Sequence, residues 1–234
     1  MSPRVVLITG GAKGIGAAIA TRLSADGWRV VIADRDPAGM APAGGRYVVS
    51  DVGDEVSVAA LVRSIAATEQ RLDALICNAG FMIRKPIADL SLAEWSSVLT
   101  TNLTSTFLLV RTAEAMLRTA NGAVVTIASS RARMSEPNTE SYSASKGGLV
   151  ALTHALAISL GPDVRVNCIS PGWIATKGPE PTQEEHAFHP AGRVGRASDI
   201  AGLAAFLVGP DSGFITGAEF VVDGGVTRKM IYPE

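Results

Sequence analysis

Tyr142 and Lys146 are the two side chains whose types and spacing point most directly to chemistry. Residues four apart share one face of a helix, so a helix through this segment brings the phenol and the ammonium group together. A free phenol titrates near pH ~10, too high for efficient proton transfer at neutrality, and a nearby positive charge lowers that pKa. We therefore predict that Tyr142 exchanges protons with a substrate and that Lys146 tunes it. The alternative is a chance pair at helical spacing.

A glycine-rich turn follows the first apolar segment of the chain. Residues 5–9 (VVLIT) are typical of a buried parallel strand, and residues 17–23 have helical spacing. The turn between them contains Gly10, Lys13, Gly14, Ile15 and Gly16. Glycines allow positive φ and close backbone approach, and the N–H groups of a helix start favour an anion. The segment predicts a pyrophosphate site, with a simple tight turn as the alternative. Its spacing is not G-x-G-x-x-G, and it lacks the G-K-[ST] of a nucleotide-triphosphatase loop.

Asp34 ends the second predicted strand, residues 29–33. A carboxylate at this place accepts hydrogen bonds from the ribose hydroxyls of adenosine and repels a 2′-phosphate, which favours NAD over NADP. Arg35 follows at once and Lys13 lies in the glycine turn, so two cations are available to offset a phosphate. NADP therefore stays open.

With these residues in view, the chain resembles the compact, single-domain form of the short-chain dehydrogenase/reductase family over nearly its whole length. The matching motifs are T-G-x-x-x-G-x-G at residues 9–16, N-A-G at 78–80, the asparagine at 102, Y-x-x-x-K at 142–146, P-G with a following threonine at 171–176, and D-G-G at 223–225. The resemblance implies an NAD(P)-dependent oxidoreductase that transfers a hydride between nicotinamide and a small secondary alcohol or ketone.

The resemblance also implies roles for further residues. Ser129 at the end of the fifth strand orients the substrate oxygen, with Ser130 as the alternative. Lys146 holds the nicotinamide ribose, and Asn102 holds a water that links Lys146 to solvent; a structural role for Asn102 at a helix bend is compatible with this. The remaining implied cofactor contacts are Asp51, Val52, Asn78, Ala79, Gly80, Pro171, Gly172, Ile174 and Thr176.

Alternating strand and helix patterns without a linker predict one α/β domain over residues 1–234. We expect a doubly wound, Rossmann-type parallel sheet of about seven strands with helices on both faces.

The net charge is −1, with both signs interspersed, which gives no electrostatic reason to expect nucleic acid. We see no signal peptide or membrane-spanning stretch and expect a cytoplasmic protein. The histidines lack metal-ligand spacing, so no metal is predicted. Cys77 and Cys168 are placed at the ends of the fourth and sixth strands, separated by a strand, which disfavours a disulfide.

Two segments differ from the usual pattern of the family. Residues 35–45 are rich in glycine and proline where relatives commonly have a fuller helix, which predicts a more open adenine edge. The variable lid, about residues 177–196, is short and polar, which suggests a flap over a small polar substrate such as a polyol or hydroxy acid. Arg131, Arg133, Glu136 and Trp173 either reach this pocket or form a solvated rim.

Apolar content in residues 92–117, 141–160 and near the C-terminus predicts self-association, as a homotetramer or else a dimer. Two other functions are alternatives: a catalytically inactive nucleotide-binding regulatory protein of the same fold, and an isomerase or dehydratase of the extended relatives. The presence of Ser129, Tyr142, Lys146 and Asn102 together opposes the first. The absence of a longer C-terminal substrate region opposes the second.

Overall fold

One parallel sheet organises the protein, whose computed structural model describes residues 3–230. Positions 1–2 and 231–234 of the predicted domain lie outside the described residues. The sheet strands are β1 (Val5–Thr9), β2 (Arg29–Asp34), β3 (Arg46–Val49), β4 (Ala74–Cys77), β5 (Ala123–Ile127), β6 (Arg165–Pro171) and β9 (Glu219–Val222). A separate two-stranded ribbon consists of β7 (Ile174–Ala175) and β8 (Gly195–Arg196). Continuous apolar runs such as VVLIT are fully buried, as strands covered on both faces must be.

The strand order is β3-β2-β1-β4-β5-β6-β9, and each neighbouring pair is parallel. From β1 the chain builds outward through β2 and β3, and then returns to add β4 on the other side of β1. The connections after β1 and β4 therefore leave in opposite directions. Such a switch in strand order opens a crevice at the carboxyl ends of the strands, where ligands bind in sheets of this kind.

Helices cover both faces of the sheet, as predicted for a doubly wound domain. They are α1 (Gly14–Ala25), α2 (Glu55–Thr68), α3 (Leu92–Leu99), α4 (Ser105–Thr119), α5 (Glu140–Leu160), α6 (Gln183–Ala187) and α7 (Ala197–Val208). Helices α1 and α7 pack on one face, against Val6, Ile8 and Val30. Helices α2, α4 and α5 pack on the other, against Leu7 and Val31. Neighbouring strand residues thus point to opposite cores, and the fold class predicted from the sequence is confirmed.

The structure corrects two details of the predicted elements. Strand β6 continues to Pro171, so Cys168 lies inside the strand rather than at its end. Cys77 does end β4, and both cysteines are free and buried. The predicted helix over 92–117 is divided into α3 and α4 by a π-helical turn, Thr100–Thr104. The segment predicted to lack a helix, residues 35–45, has none. No helix within residues 3–230 is long and apolar enough to cross a membrane.

Glu69, just after α2, ties that helix to the outer strands of the sheet. Its side chain is fully buried, and its carboxylate accepts hydrogen bonds from Nε and Nη2 of Arg46 at 3.0 and 2.7 Å. Nε of Arg29 lies 3.5 Å from the same carboxylate. The two arginines are partly exposed, so the chain buries one acid between two half-solvated cations. Removing the acid leaves both guanidinium groups without this partner.

We therefore expect Glu69→Gln to lower the free energy of unfolding by about 1–3 kcal/mol, because a buried charge-assisted hydrogen-bond pair is lost. Urea unfolding at pH 7 measures the change. The control is Asp26→Asn, which breaks the exposed ion pair with Arg22 and should cost no more than about 0.5 kcal/mol. Equal effects of the two substitutions would contradict this account of Glu69.

Candidate active site

The glycine turn joins β1 to α1 and forms one wall of the crevice. Gly10 and Gly14 have φ of +65° and +60°, a conformation that other residues rarely adopt. A Cβ at Gly10 would lie 2.8 Å from Cα of Ala79, so no larger residue fits against the neighbouring strand connection. Helix α1 begins at Gly14, and its first free N–H groups belong to the turn itself. The turn therefore presents donors and a positive helix end to an anion.

Asn78 fastens the connection after β4 to this turn. Its Nδ2 donates to the carbonyl oxygens of Thr9 and Gly10 at 3.0 and 2.9 Å. In return, Oγ1 of Thr9 accepts hydrogen bonds from the backbone N–H groups of Asn78 and Ala79, both at 3.1 Å. The N-A-G segment and the glycine turn are thus one rigid unit, with the turn's shape set by a side chain from the next strand.

The Asp34 carboxylate lies at the carboxyl end of β2 and faces the same turn. One oxygen accepts the N–H of Ala12 at 3.0 Å, and the other accepts the N–H of Asp36 at 3.1 Å. The guanidinium of the next residue, Arg35, lies 6.0 Å from the ring centre of Phe81 and also lines the crevice. The carboxylate is therefore held in one orientation with lone pairs left for ribose hydroxyls.

A cleft of about 1500 Å³ runs along the carboxyl ends of the strands. It is lined by most of the predicted site residues: Gly10, Lys13, Gly14, Ile15, Asp34, Arg35, Val52, Asn78, Ala79, Gly80, Ser129, Tyr142, Lys146, Pro171, Gly172, Ile174 and Thr176. Ser130, the alternative serine, lines it as well. The structure therefore brings the two halves of the predicted site, from the two halves of the chain, into one cleft.

Gly16, Asp51 and Asn102 do not line the cleft. Gly16 packs against the backbone of the glycine turn: a Cβ there would lie 2.3 Å from the carbonyl oxygen of Gly10. Oδ1 of Asp51 accepts the N–H of Gly53 at 2.9 Å, so its carboxylate closes a local turn instead of flanking the cleft. A cofactor contact from Asp51 stays a prediction.

Tyr142 and Ser129 both line the cleft, and their side chains lie close together. Ser129 follows β5, and Tyr142 lies in the first turn of α5. Burial raises the pKa of Tyr142 above its ordinary value; the Ser129 hydroxyl and the positive charge of Arg131 act in the opposite direction without overcoming burial. The sequence predicted a lowered pKa with Lys146 as its cause. In the folded chain the direction is the reverse, because burial is the largest effect.

Lys146 is buried, with 4 % of its surface exposed. Its Nζ donates to the carbonyl oxygen of Ile127 at 2.7 Å and lies 5.6 Å from the ring centre of Tyr142. Burial lowers the pKa of Lys146 from 10.5 to about 8. The ammonium group therefore keeps most of its charge at neutral pH while losing water, and two of its three N–H groups remain available to a ligand in the cleft.

Asn102 lies in the π-helical turn and acts through its side chain. Oδ1 accepts the N–H of Phe81 at 2.9 Å, and Nδ2 donates to the carbonyl oxygen of Phe81 at 2.9 Å and to Oγ of Ser145 at 3.0 Å. That hydroxyl donates in turn to the carbonyl oxygen of Tyr142 at 2.7 Å. Asn102 thus ties the loop after Gly80 to the start of α5. Because both Nδ2 hydrogens are donated, the amide has no hydrogen left to give to a water.

Several residues that line the cleft were not predicted from the sequence. They include Phe81, Met82, Arg84, Met134, Phe188 and His189. The first three directly follow the N-A-G motif, and that position could have indicated them. Phe188 and His189 belong to the lid, where no spacing rule places a side chain. Within residues 3–230, no cluster of three or more His, Cys, Asp or Glu is arranged to hold a metal ion.

The cleft fits a dinucleotide. Asp34 ends β2 and Ser129 follows β5, three strand spacings away, or about 14 Å at ~4.8 Å for each spacing. The glycine turn and the start of α1 lie between them, after β1. A ribose acceptor, an anion site and a phenol–ammonium pair therefore follow one another along the cleft, in the order of adenosine, pyrophosphate and a second nucleoside.

The lowered pKa of Lys146 has a measurable consequence for stability. Between pH 8 and 10.5 the unfolded chain holds a proton at this side chain that the folded chain has lost, so stability from this group rises with pH across the window. We expect the free energy of unfolding of the wild type, relative to Lys146→Met, to increase by about 1 kcal/mol per pH unit from pH 8 to 10.

Urea unfolding at pH 7, 8, 9 and 10 tests this expectation. The control is Lys177→Met, at an exposed lysine of the lid, whose difference from the wild type should stay constant over the same range. A constant difference for Lys146→Met as well would mean that its ammonium group is not desolvated in the folded protein.

Comparisons with known proteins agree with this geometry. A family model of short-chain dehydrogenases, described as enoyl-(acyl carrier protein) reductase, matches residues 10–227. An uncharacterized oxidoreductase of Thermotoga maritima is 46% identical, over 99% of this chain and 98% of the relative. D-threitol dehydrogenase of Mycolicibacterium smegmatis is 36% identical, over 97% and 94%.

A solved structure gives the same result. The 3-ketoacyl-(acyl-carrier-protein) reductase of Brucella melitensis, complexed with NADH, superposes with a TM-score of 0.89 at 30% identity, over 96% of this chain and 98% of that one. The family match, the relatives and the cleft together indicate a nicotinamide-dependent oxidoreductase. The chain belongs to the short-chain dehydrogenase/reductase family.

Proposed function

We propose that this protein transfers a hydride between a nicotinamide cofactor and a small secondary alcohol or ketone, with Tyr142 as the acid/base. The observation that carries the proposal is the meeting of Ser129, Tyr142 and Lys146 in the cleft formed by the glycine turn. A binding protein that had lost its chemistry would have no need for a buried ammonium group beside a half-buried phenol, since both cost desolvation energy.

In the oxidation direction, the Ser129 hydroxyl accepts or donates a hydrogen bond at the substrate oxygen and holds it near Tyr142. The Tyr142 phenolate takes the hydroxyl proton, the C–O bond becomes a carbonyl, and the C–H bonding pair leaves with its hydrogen as hydride. When bound, the oxidised nicotinamide supplies the hydride acceptor at C4 and a positive charge near the phenol. Reduction runs the same steps backwards, with Tyr142 donating the proton.

The remaining side chains would hold the cofactor. The N–H groups at the start of α1 suit the pyrophosphate, and the free N–H groups of Lys146 suit the ribose next to the nicotinamide. Burial disfavours the phenolate of Tyr142, and the positive charge of the oxidised nicotinamide would offset that effect. The charge of Lys146 then favours the phenolate. Ile174 and Thr176, after β6, would contact the carboxamide and phosphates. Asn102 positions this machinery, and a water relay at Asn102 would use its backbone carbonyl.

NAD is the cofactor that Asp34 favours. Its carboxylate is held by two backbone N–H groups in the position of a ribose acceptor and would repel a 2′-phosphate. Arg35 and Lys13 line the same end of the cleft and are the groups that could tolerate NADP. The open segment after β2, in which Met40 is 83% exposed, leaves the adenine edge without a covering helix.

A small polar substrate suits the short lid. The ribbon of β7 and β8 closes the base of the lid, and α6 begins with a capping box between Thr182 and Glu185. The relative named D-threitol dehydrogenase acts, by its name, on a small polyol.

We also propose a homotetramer, or else a dimer, because Phe107 on α4 and Ile158 on α5 are large apolar side chains left exposed. A cytoplasmic location stays a prediction.

Tyr142→Phe should lower turnover by about 10²–10⁴-fold, because the hydroxyl that exchanges the proton is gone while the ring still packs. Binding of NADH, followed by its fluorescence, should be essentially unchanged. The assay is the absorbance of reduced nicotinamide with a panel of polyols, hydroxy acids, cyclic alcohols and their ketones. Tyr47→Phe is the matched control, since that hydroxyl donates to the Asp36 carbonyl outside the catalytic group. Full activity of Tyr142→Phe would remove Tyr142 as the acid/base.

Asp34→Ala should shift the ratio of kcat/KM for NAD over NADP toward NADP by about 10- to 100-fold, because hydrogen bonds to the ribose and repulsion of the 2′-phosphate are both lost. Asp34→Asn keeps the shape and removes the charge, so it should give a smaller shift in the same direction. An unchanged ratio in both variants would show that Asp34 does not select the cofactor.

A further inference from the structure

A short loop after β5 places a positive charge beside the proposed acid/base. Arg131 lies in the 3₁₀ turn Ser130–Ala132, and its backbone N–H donates to Oγ of Ser129 at 3.2 Å. Its side chain lines the cleft and is 20% exposed. The charge of Arg131 also acts to lower the pKa of Tyr142, so the guanidinium is close enough to influence the phenol. Arg131 therefore stands at the reacting end of the cleft.

At this end of the cleft two guanidinium groups, those of Arg131 and Arg84, share one carboxylate. Nη2 of Arg131 lies 2.6 Å from Oε1 of Glu136, and the other oxygen of Glu136 pairs with Arg84. Both arginines line the cleft, and one carboxylate serves both. This group of three side chains, which we call the arginine pair with Glu136, thus has an excess of one positive charge. Burial, and next the charge of Arg84, lower the pKa of Arg131, as expected where positive charge is in excess.

Arg131 also has unused donors. Nη1 lies 3.1 Å from Sδ of Met82, a weak acceptor, and Nε makes no hydrogen bond to any residue in the range 3–230. A guanidinium carries five N–H donors in a planar fork that matches a carboxylate. Among the described residues, the Glu136 carboxylate is the only strong acceptor of the Arg131 side chain, so Arg131 has donors left for a second anion in the cleft.

We propose that the substrate carries a carboxylate and that Arg131 binds it, which makes the substrate a small hydroxy acid, or the corresponding keto acid. The inference rests on the proposed function and goes beyond it by naming the substrate class. A carboxylate matches the single excess positive charge, whereas a phosphate brings a second negative charge that this excess does not balance. The anion, held by Arg131, would leave the substrate hydroxyl between Ser129 and Tyr142.

Matched pairs of acid and amide test the charge alone. The wild type is assayed with lactate against lactamide and with 3-hydroxybutyrate against 3-hydroxybutyramide, in the presence of NAD. We expect kcat/KM for at least one acid to exceed that of its amide by about 10-fold or more. Arg131→Met should raise KM for that acid by about 10- to 100-fold and leave KM for the amide unchanged. The control Arg63→Met removes a positive charge from the exposed surface of α2 and should change neither.

Two further variants separate recognition from structure. Glu136→Gln removes the carboxylate that competes with the substrate for Arg131, so this variant should lower KM for the acid. If the arginine pair with Glu136 had a purely structural role, the same variant would raise KM for the acid. Arg131→Lys keeps the charge without the fork and should give an effect between wild type and Arg131→Met. If circular dichroism shows that Arg131→Met does not fold, Arg131→Lys takes its place in the test.

Binding measured without turnover supplies the second readout. Calorimetry on Tyr142→Phe saturated with NAD should show tighter binding of the acid than of its amide, and adding Arg131→Met should abolish the difference. Equal binding of acid and amide, or weaker acid binding in Glu136→Gln, would overturn the inference. Turnover of neutral alcohols without any acid preference would also overturn it while the proposed function stands. If the proposed function is wrong, no compound of the panel will show turnover that depends on Tyr142. The calorimetric comparison of acid and amide would still decide whether the cleft binds a carboxylate.

Discussion

The active site depends on one hydrogen bond, from Nζ of Lys146 to the carbonyl oxygen of Ile127 at 2.7 Å. It is made where β5 ends, and it holds a cation in a place where burial disfavours the charge. Because α5 is regular, fixing Lys146 also fixes Tyr142 one turn earlier, opposite the serine that follows β5. The relation of phenol, hydroxyl and ammonium thus follows from how one helix crosses the end of one strand.

Two side-chain amides, one buried and one half-buried, hold the loops around this pair. Asn78 ties the glycine turn to the connection after β4, and Asn102 ties the loop at Phe81 to the start of α5. A buried polar group without its partner costs about 1–3 kcal/mol, so these loops lose stability if they move away. The cleft is therefore formed by loops that are fixed in advance, which is the condition for aligning a cofactor with a substrate.

Local patterns were enough to predict much of this arrangement. The spacing of Tyr142 and Lys146, the glycine turn and the position of Asp34 after a strand are short-range signals, and the structure brings all of them to one cleft. The parallel doubly wound sheet followed from alternating patterns and from the family resemblance. These features are set by neighbours in the chain, so the sequence alone carries them.

The rest depends on contacts between distant residues. The direction of the pKa of Tyr142 is set by how deeply the phenol is buried, which no spacing reveals. The side chain of Asp51, expected at the adenine, accepts the N–H of Gly53, and that of Asn102, expected to hold a water near Lys146, contacts Phe81. The charge excess at Arg131 appears only when Arg84, from a loop far away in the chain, is placed against the same Glu136.

The proposed chemistry requires that the ionisation of Tyr142 depends on the charge in the cleft. A pH titration of the protein labelled with ¹³C at tyrosine Cζ measures this, with the Tyr142 signal among those of Tyr47, Tyr142 and Tyr232 assigned from Tyr142→Phe. We expect a pKa above the ordinary value of 10 for the protein alone, and a clear fall when NAD is added. A pKa that NAD leaves unchanged would contradict it.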